Sequence, residues 1–268
     1  MPGTDITSDA QGQETDLELL LRAAQVAGDV ALGFTGPTAR AWDKPGQGPV
    51  TEADYAVNDV FHDILRSARP DYGWLSEETP DTPERLDCDH VFIIDPIDGT
   101  RSFIEGSGTW AHSIAIAHKG KVTAAVIHLP ARERTFAAAL GQGATLNGAA
   151  ILTGGRAKVT GATLMAPKPS LHPDRWKAGP PDVKRTYRPS LAYRMALIAQ
   201  GRFDAMLTLR PAWHWDIAAG TLIANEAGAR VTDPKGEPLT FNTADPISPG
   251  VLTANPILHA ELLGALRT

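Results

Sequence analysis

The chain has a single cysteine, no long hydrophobic run and no basic stretch followed by an apolar core at its start. Cys88 cannot form an internal disulfide, so we expect a protein of the reducing cytoplasm. No apolar segment approaches the ~20 residues that cross a bilayer, and residues 1–13 are polar rather than built like a signal peptide. We therefore expect neither a membrane span nor an export signal.

Excess positive charge is also missing. The chain has 31 acidic and 25 basic residues, a formal net charge of -6. This balance argues against binding to a nucleic-acid polymer or a membrane surface. It does not exclude a small anionic substrate, because bound metal ions can reverse the local charge.

Hydrophobic periodicity and capping residues predict a series of helices and strands. Thr15 and Glu18 form a capping box for a helix that extends to Phe34, and Thr51 caps a second helix that ends before Pro70. Further helices are expected over residues 190–200, 217–226 and 257–266. Strands are expected over residues 72–75, 91–94, 112–117, 122–129, 135–139 and 204–209. Irregular structure is expected over residues 36–49, 79–90 and 167–189, which contain turn-forming or polar residues.

This order of elements mixes helix–strand alternation with hairpins, which favours an α+β fold with mixed sheets. Residues 1–14 are predicted to be a disordered lead-in. An N-terminal α+β lobe over 15–150 would carry the metal site, and a C-terminal α/β lobe over 151–268 would complete one compact unit.

The strongest chemical signal is Asp95-Pro96-Ile97-Asp98-Gly99-Thr100, which directly follows a predicted buried strand. Two carboxylates three positions apart across a turn would repel each other unless a cation lay between them. Magnesium prefers such hard oxygen ligands, and the amides that follow could hold a phosphate. Taken alone, the motif could also be a plain Asp-Pro turn.

Three other acidic segments have settings that could serve the same site. Asp54 lies in the first turn of a predicted helix, Glu77 and Glu78 follow a predicted strand, and Asp216 follows Trp215 at the start of a helix. Each also has a simpler explanation as a helix cap, a favourable charge at a helix start or a solvated loop.

Together these segments resemble the inositol monophosphatase superfamily in order and approximate spacing. Gly141-Gln142-Gly143-Ala144 with Asn147-Gly148, and Glu226-Ala227-Gly228, extend the similarity over roughly residues 16–266. The resemblance implies a layered α-β-α-β-α sandwich and a magnesium-dependent, lithium-sensitive phosphatase.

The resemblance also implies roles for individual residues. Two or three magnesium ions would be bound by the side chains of Glu77, Asp95, Asp98 and Asp216 and by the carbonyl of Ile97. Thr100 would lie beside the attacking water, supported by Asp54, with Glu77 also serving catalysis. The phosphate-binding residues would be Gly99, Thr100 and Arg101.

The substrate is less clearly indicated. Arg101-Ser102-Phe103 resembles the 3'(2'),5'-bisphosphate nucleotidase branch of the superfamily, although Ser102 departs from the acidic residue common there. The basic segment 168–188 could contact a second phosphate or could be a solvated loop. We therefore expect adenosine 3',5'-bisphosphate as substrate, with inositol 1-phosphate or histidinol phosphate as alternatives. An inactive metal-binding regulatory protein remains a further alternative, and the family resemblance suggests a homodimer.

Overall fold

The computed structural model describes residues 14–34, 39–44 and 48–267. The predicted disordered lead-in, apart from Glu14, lies outside these residues. The α-helices are α1 Asp16–Gly33, α2 Glu52–Ala68, α3 Thr100–Ile104, α4 Leu191–Ala199, α5 His214–Glu226 and α6 Pro256–Ala265. The first nine strands are β1 Ala41–Lys44, β2 Gly48–Thr51, β3 Gly73–Ser76, β4 His90–Asp98, β5 Ala111–His118, β6 Lys121–Leu129, β7 Arg134–Ala139, β8 Ala144–Leu146 and β9 Ala149–Ile151. The others are β10 Ala162–Met165, β11 Val183–Thr186, β12 Ala205–Thr208, β13 Ala212–Trp213, β14 Arg230–Thr232, β15 Ile247–Ser248 and β16 Val251–Ala254.

Two large sheets organise the fold. A seven-stranded sheet has the order β3-β4-β5-β6-β7-β8-β9, in which only β3 and β4 are parallel. A five-stranded mixed sheet has the order β11-β10-β12-β16-β14. The pairs β1–β2 and β13–β15 form small antiparallel ribbons.

Side chains alternate between the two faces of the larger sheet, as β4 illustrates. Phe92 and Ile94 pack with α1 and α2, whereas Val91 and Ile93 join the core formed with α4 and α5. The five-stranded sheet covers the other side of α4 and α5, and α6 packs on its outer face. The layers are therefore α-β-α-β-α with mixed sheets, which confirms the predicted fold class.

The predicted capping box of α1 and the predicted cap of α2 are present, and the latter is also a capping box. Thr15 caps α1 with Glu18, and Thr51 caps α2 with Asp54 as its reciprocal partner. The hairpin between residues 112–117 and 122–129 is also confirmed as β5–β6.

Several boundaries were predicted wrongly. The strand expected to end at residue 94 continues through Asp98, because β5 pairs with it on both sides of an irregular register between Asp95 and Asp98. Helix α5 begins at His214, so Asp216 lies inside its first turn and Trp213 is the N-cap. Two segments that were expected to be irregular contain strands. Residues 36–49 include most of the hairpin β1–β2, and residues 167–189 include the short strand β11.

The division into lobes at residue 150 stays a prediction. The larger sheet draws its strands from residues 73–151 and the smaller from 162–254. One apolar cluster includes residues from both ranges, such as Ile93 and Met206. In the part of the chain that is described, no helix is long and apolar enough to span a membrane.

Candidate active site

The parallel pairing of β3 with β4 brings Glu77 to Asp95. Ser76 lies opposite Ile94, and the amide of Glu77 donates to the carbonyl of Ile94 at 3.1 Å. The two acidic residues therefore leave neighbouring parallel strands at the same edge of the sheet. The period-two alternation of β4 directs Asp95 toward the face occupied by α5.

Helix α5 supplies Asp216 on that face. The first-turn position of Asp216 places its carboxylate near the positive end of the helix dipole. Carboxylate oxygens of Asp95, Asp98 and Asp216 lie within 4.8 Å of one another. Residues far apart in the sequence thus converge on one point.

The turn after β4 requires glycine. Gly99 has φ +102°, a left-handed conformation that disfavours any residue with a Cβ atom. A Cβ there would also lie 3.4 Å from both Ser190 Cβ and the Thr109 carbonyl oxygen. This turn allows Asp98 to face the cavity and Thr100 to begin α3. The first amide of this helix with a partner is that of Ser102, which donates to the Gly99 carbonyl at 2.8 Å.

Thr100 contacts Asp54 beside the turn. Its Oγ1 lies 3.4 Å from Asp54 Oδ1 and 3.2 Å from the Ile97 carbonyl oxygen. The other Asp54 oxygen accepts hydrogen bonds from Thr51 N at 2.8 Å and Thr51 Oγ1 at 2.6 Å. The capping box of α2 therefore fixes Asp54 in a position to orient the Thr100 hydroxyl.

The carboxylates are arranged as if a cation belonged between them. Asp95 is 1% exposed, and its Oδ1 has no hydrogen-bond partner among the described residues. A buried carboxylate oxygen without a partner is costly, and a divalent cation with oxygen ligands would satisfy it. The donor set, entirely carboxylate and carbonyl oxygen, suits magnesium better than a softer metal.

The pKa values of these groups show the same crowding. Burial, followed by the charge of Asp216, raises the pKa of Glu77 to about 8. Burial, followed by the charge of Asp98, raises the pKa of Asp216 to about 7. Burial and then the charge of Glu77 raise the pKa of Asp95 well above its usual range. Burial also raises the pKa of Asp98, although hydrogen bonds from Ser190 and Ala192 oppose it.

A cavity of about 350 Å³ joins these groups. One side is formed by Glu77 and the β4 turn, and the other by the segment from Arg210 to Asp216. Within that segment the rings of Trp213 and Trp215 stack with their centres 4.6 Å apart. The described lining residues are Glu77, Asp95, Ile97, Asp98, Gly99, Thr100, Arg210, Pro211, Trp213, Trp215 and Asp216.

Some of the residues singled out from the sequence lie elsewhere. Arg101 is exposed on α3 and is not among the described lining residues. In the basic segment, Lys177 Nζ donates to the Gly264 carbonyl and Arg185 donates to the Ala166 carbonyl. These contacts bind the segment to the five-stranded sheet and α6, away from the lining of the cavity.

Two residues support the site although the sequence did not predict this role for them. Ser190 Oγ donates to Asp98 Oδ2 at 2.7 Å, and the amide of Ala192 donates to the same oxygen at 2.6 Å. His112 is buried, and its Nδ1 contacts the Pro96 carbonyl oxygen. Burial lowers the pKa of His112 to about 3, so the ring is neutral and donates to that carbonyl. The sequence predicted a helix over residues 190–200, but no role at the site for Ser190 or His112.

A family model described as the inositol monophosphatase family matches residues 13–268. The chain belongs to the inositol monophosphatase family. Members of this family are metal-dependent phosphatases, and the acidic cavity agrees with that chemistry. We conclude that the protein is a phosphatase.

Curated relatives and solved structures support this family membership. The chain is 34% identical to the Nus factor SuhB of Escherichia coli K12 over 232 residues, 81% of this chain and 84% of that relative. It is 32% identical to an inositol-1-monophosphatase of Mesorhizobium japonicum over 233 residues, 81% of this chain and 82% of that relative. An IMPase structure from Thermotoga maritima aligns with a TM-score of 0.79 and 28% identity, covering 92% of this chain and 95% of that one.

Proposed function

We propose that this family member hydrolyses a small phosphate monoester with the help of two or three magnesium ions. The observation that carries the proposal is the convergence of carboxylate oxygens from Asp95, Asp98 and Asp216 within 4.8 Å. Glu77 and the Ile97 carbonyl would complete the oxygen ligands, since both line the same cavity. When bound, magnesium would neutralise the phosphate charge and favour deprotonation of an attacking water.

The remaining residues of the site would orient the reactants. The amides of Gly99, the N-cap of α3, and of Thr100, its first residue, precede the first hydrogen bond of the helix and would donate to phosphate oxygens. Thr100 Oγ1, oriented by Asp54 and the Ile97 carbonyl, would hold the attacking water. Burial raises the pKa of Asp54 to about 6, so this carboxylate can accept a proton near neutral pH.

The relatives support inositol 1-phosphate as the first substrate to test. One curated relative is named an inositol-1-monophosphatase, and it covers most of this chain. A bisphosphorylated nucleotide such as adenosine 3',5'-bisphosphate is the second candidate. The observation that favours it is the cation on the cavity wall, Arg210.

The decisive experiment measures phosphate release from inositol 1-phosphate, adenosine 3',5'-bisphosphate and histidinol phosphate. Each assay is run with Mg²⁺ and with a chelator, for the wild type and for Asp98→Asn. We expect Mg²⁺-dependent release that the variant lacks. Release that is independent of Mg²⁺, or none from any ester despite tight metal binding, would refute the proposed reaction and favour a regulatory metal-binding protein.

The proposal includes a cytoplasmic location, with which the free thiol of Cys88 is compatible. It also includes a homodimer. Light scattering after size-exclusion chromatography would distinguish a mass near 57 kDa from the 28.5 kDa of one chain, twice 28.5 being 57.

A further inference from the structure

Arg210 is a cation on the wall of an otherwise acidic cavity. It follows β12 and comes just before β13, and no other lysine, arginine or histidine is found among the described residues lining the cavity. Arg210 is exposed, and its charge lowers the pKa of the neighbouring Asp216, but within the described ranges its side chain has no hydrogen bond or ion pair. A guanidinium that faces a substrate cavity without a partner is available to a ligand.

A second arginine lies behind this wall. Arg194 on α4 is 1% exposed, and its Nη1 has no hydrogen-bond partner in the described part of the chain. Its guanidinium lies 4.9 Å from the centre of the Tyr187 ring, and its Nε donates to the Ser190 carbonyl at 3.3 Å. Burial lowers its pKa, with the nearby charges of Asp98 and Asp216 acting in the opposite direction and that of Arg210 adding to the effect.

The two arginines therefore add positive charge close to Asp216, which interacts electrostatically with both of them. The carboxylates of the cavity, including the neighbouring Asp216, would be neutralised by the cations they bind, so they do not require Arg210 as a counter-ion. The reacting phosphate would be held by those cations and by the turn at Gly99. Arg210 is therefore available to bind another group of the substrate.

The chemistry of the guanidinium indicates what that group is. Its planar fork of N–H donors matches the paired oxygens of a phosphate or a carboxylate. The guanidinium has no acceptor atom for the proton of a hydroxyl group.

We propose that Arg210, supported by Arg194, forms a subsite for a second anionic group on the substrate. This inference rests on the proposed phosphatase function and narrows its substrate class to phosphate monoesters that carry a further phosphate or a carboxylate. Inositol 1-phosphate would then be hydrolysed less efficiently than a substrate with both groups.

The test uses pairs of substrates that differ only in the second anion. Adenosine 3',5'-bisphosphate is compared with adenosine 3'-phosphate, and 3-phosphoglycerate with glycerol 3-phosphate. The enzymes are the wild type, Arg210→Ala, Arg210→Lys and Arg202→Ala, the last being an exposed arginine outside the cavity lining. The nucleotide pair reports on a phosphate and the glycerol pair on a carboxylate.

We expect Arg210→Ala to lower kcat/KM by about 10- to 100-fold for the member of the preferred pair that carries the second anionic group. Most of this loss should be in KM, and the effect on its partner should be several times smaller. Arg210→Lys should restore part of the preference, and Arg202→Ala should leave it intact. Equal losses for both members of each pair would overturn the proposal, because Arg210 would then act on the reacting phosphate.

A wild type that shows no preference in either pair would also overturn the subsite while leaving the phosphatase function in place. If no ester releases phosphate, the phosphatase function is wrong, and isothermal titration with the same pairs decides the subsite. A binding preference for the compounds with a second anionic group that Arg210→Ala removes would support the subsite, and the absence of any preference would refute it.

Discussion

Ser190 Oγ lies 2.7 Å from Asp98 Oδ2, across 92 positions of the chain. The same hydroxyl accepts a hydrogen bond from the Tyr193 amide at 3.0 Å as the N-cap of α4. One side chain therefore begins a helix and positions a carboxylate of the candidate metal site. The start of α4 and the end of β4 cannot move independently without breaking this contact.

Ser190→Ala should therefore weaken both the helix and the metal site. We expect about 1 kcal/mol less stability from the lost cap. We also expect the Mg²⁺ concentration for half-maximal activity to rise by about 10-fold, because the Asp98 carboxylate loses an orienting donor. Magnesium titrations of activity and urea unfolding measure the two effects.

Thr15→Ala is the matched control, since Thr15 caps α1 far from the cavity. It should lower stability by a similar amount and leave the magnesium dependence unchanged. If both variants shift the magnesium dependence equally, the Ser190 effect is general destabilisation and the prediction is wrong.

The sequence contained enough information to predict the layers and most of the acidic residues of the site. Periodicity predicted the hairpin β5–β6, a capping box marked the start of α1 and the cap Thr51 marked the start of α2, because these signals are local. Asp95 and Glu77 could be predicted as site residues for a related reason, because each lies at the end of a predicted strand.

Contacts between distant segments were not predictable in this way. Nothing local in Ser190 indicates that its hydroxyl meets Asp98, and nothing local in Arg210 indicates a place on the cavity wall. The basic segment 168–188 suggested a phosphate contact by composition alone, but its tertiary contacts bind it to the C-terminal helix instead. Charge composition does not determine which surface a segment covers.

Asp98→Asn should nearly abolish turnover while preserving the fold. The amide is similar in shape and can still accept from Ser190 and Ala192, but it lacks the charge that attracts a cation. We expect kcat to fall by at least about 1,000-fold, with an unchanged circular dichroism spectrum. Near-normal magnesium-dependent activity in the purified variant would show that Asp98 is not a metal ligand.

Thr100 provides a test of how the attacking water is oriented. Thr100→Val removes the hydroxyl that lies 3.4 Å from Asp54 Oδ1, so kcat should fall by about 100-fold with little change in KM. Thr100→Ser keeps the hydroxyl and should retain activity within a few-fold. Steady-state kinetics at saturating Mg²⁺ distinguish these outcomes. If Thr100→Ser loses as much activity as Thr100→Val, the hydroxyl alone does not account for the effect and the prediction is wrong.

The metal-free protein should lose stability as pH rises, because its carboxylates bind protons more tightly when folded than when unfolded. The pKa of Asp216 is raised from 3.8 to about 7, so its favourable contribution is complete below pH 4 and is lost as pH rises through 7. Buried histidines such as His112, whose pKa is lowered, act in the opposite direction. Comparing the wild type with Asp216→Asn isolates the carboxylate from these groups.

In the presence of a chelator, we expect Asp216→Asn to be more stable than the wild type by about 2 kcal/mol at pH 8 and nearly equal at pH 4. Magnesium should reverse the order at pH 8, since binding stabilises only the protein that retains its ligand. Urea unfolding at both pH values gives these differences, and Asp59→Asn, on an exposed position of α2, should show neither. A wild type that equals Asp216→Asn at pH 8 without metal would mean that the acidic cluster is not electrostatically strained. The cavity would then lack the stored repulsion that makes it a binding site for cations.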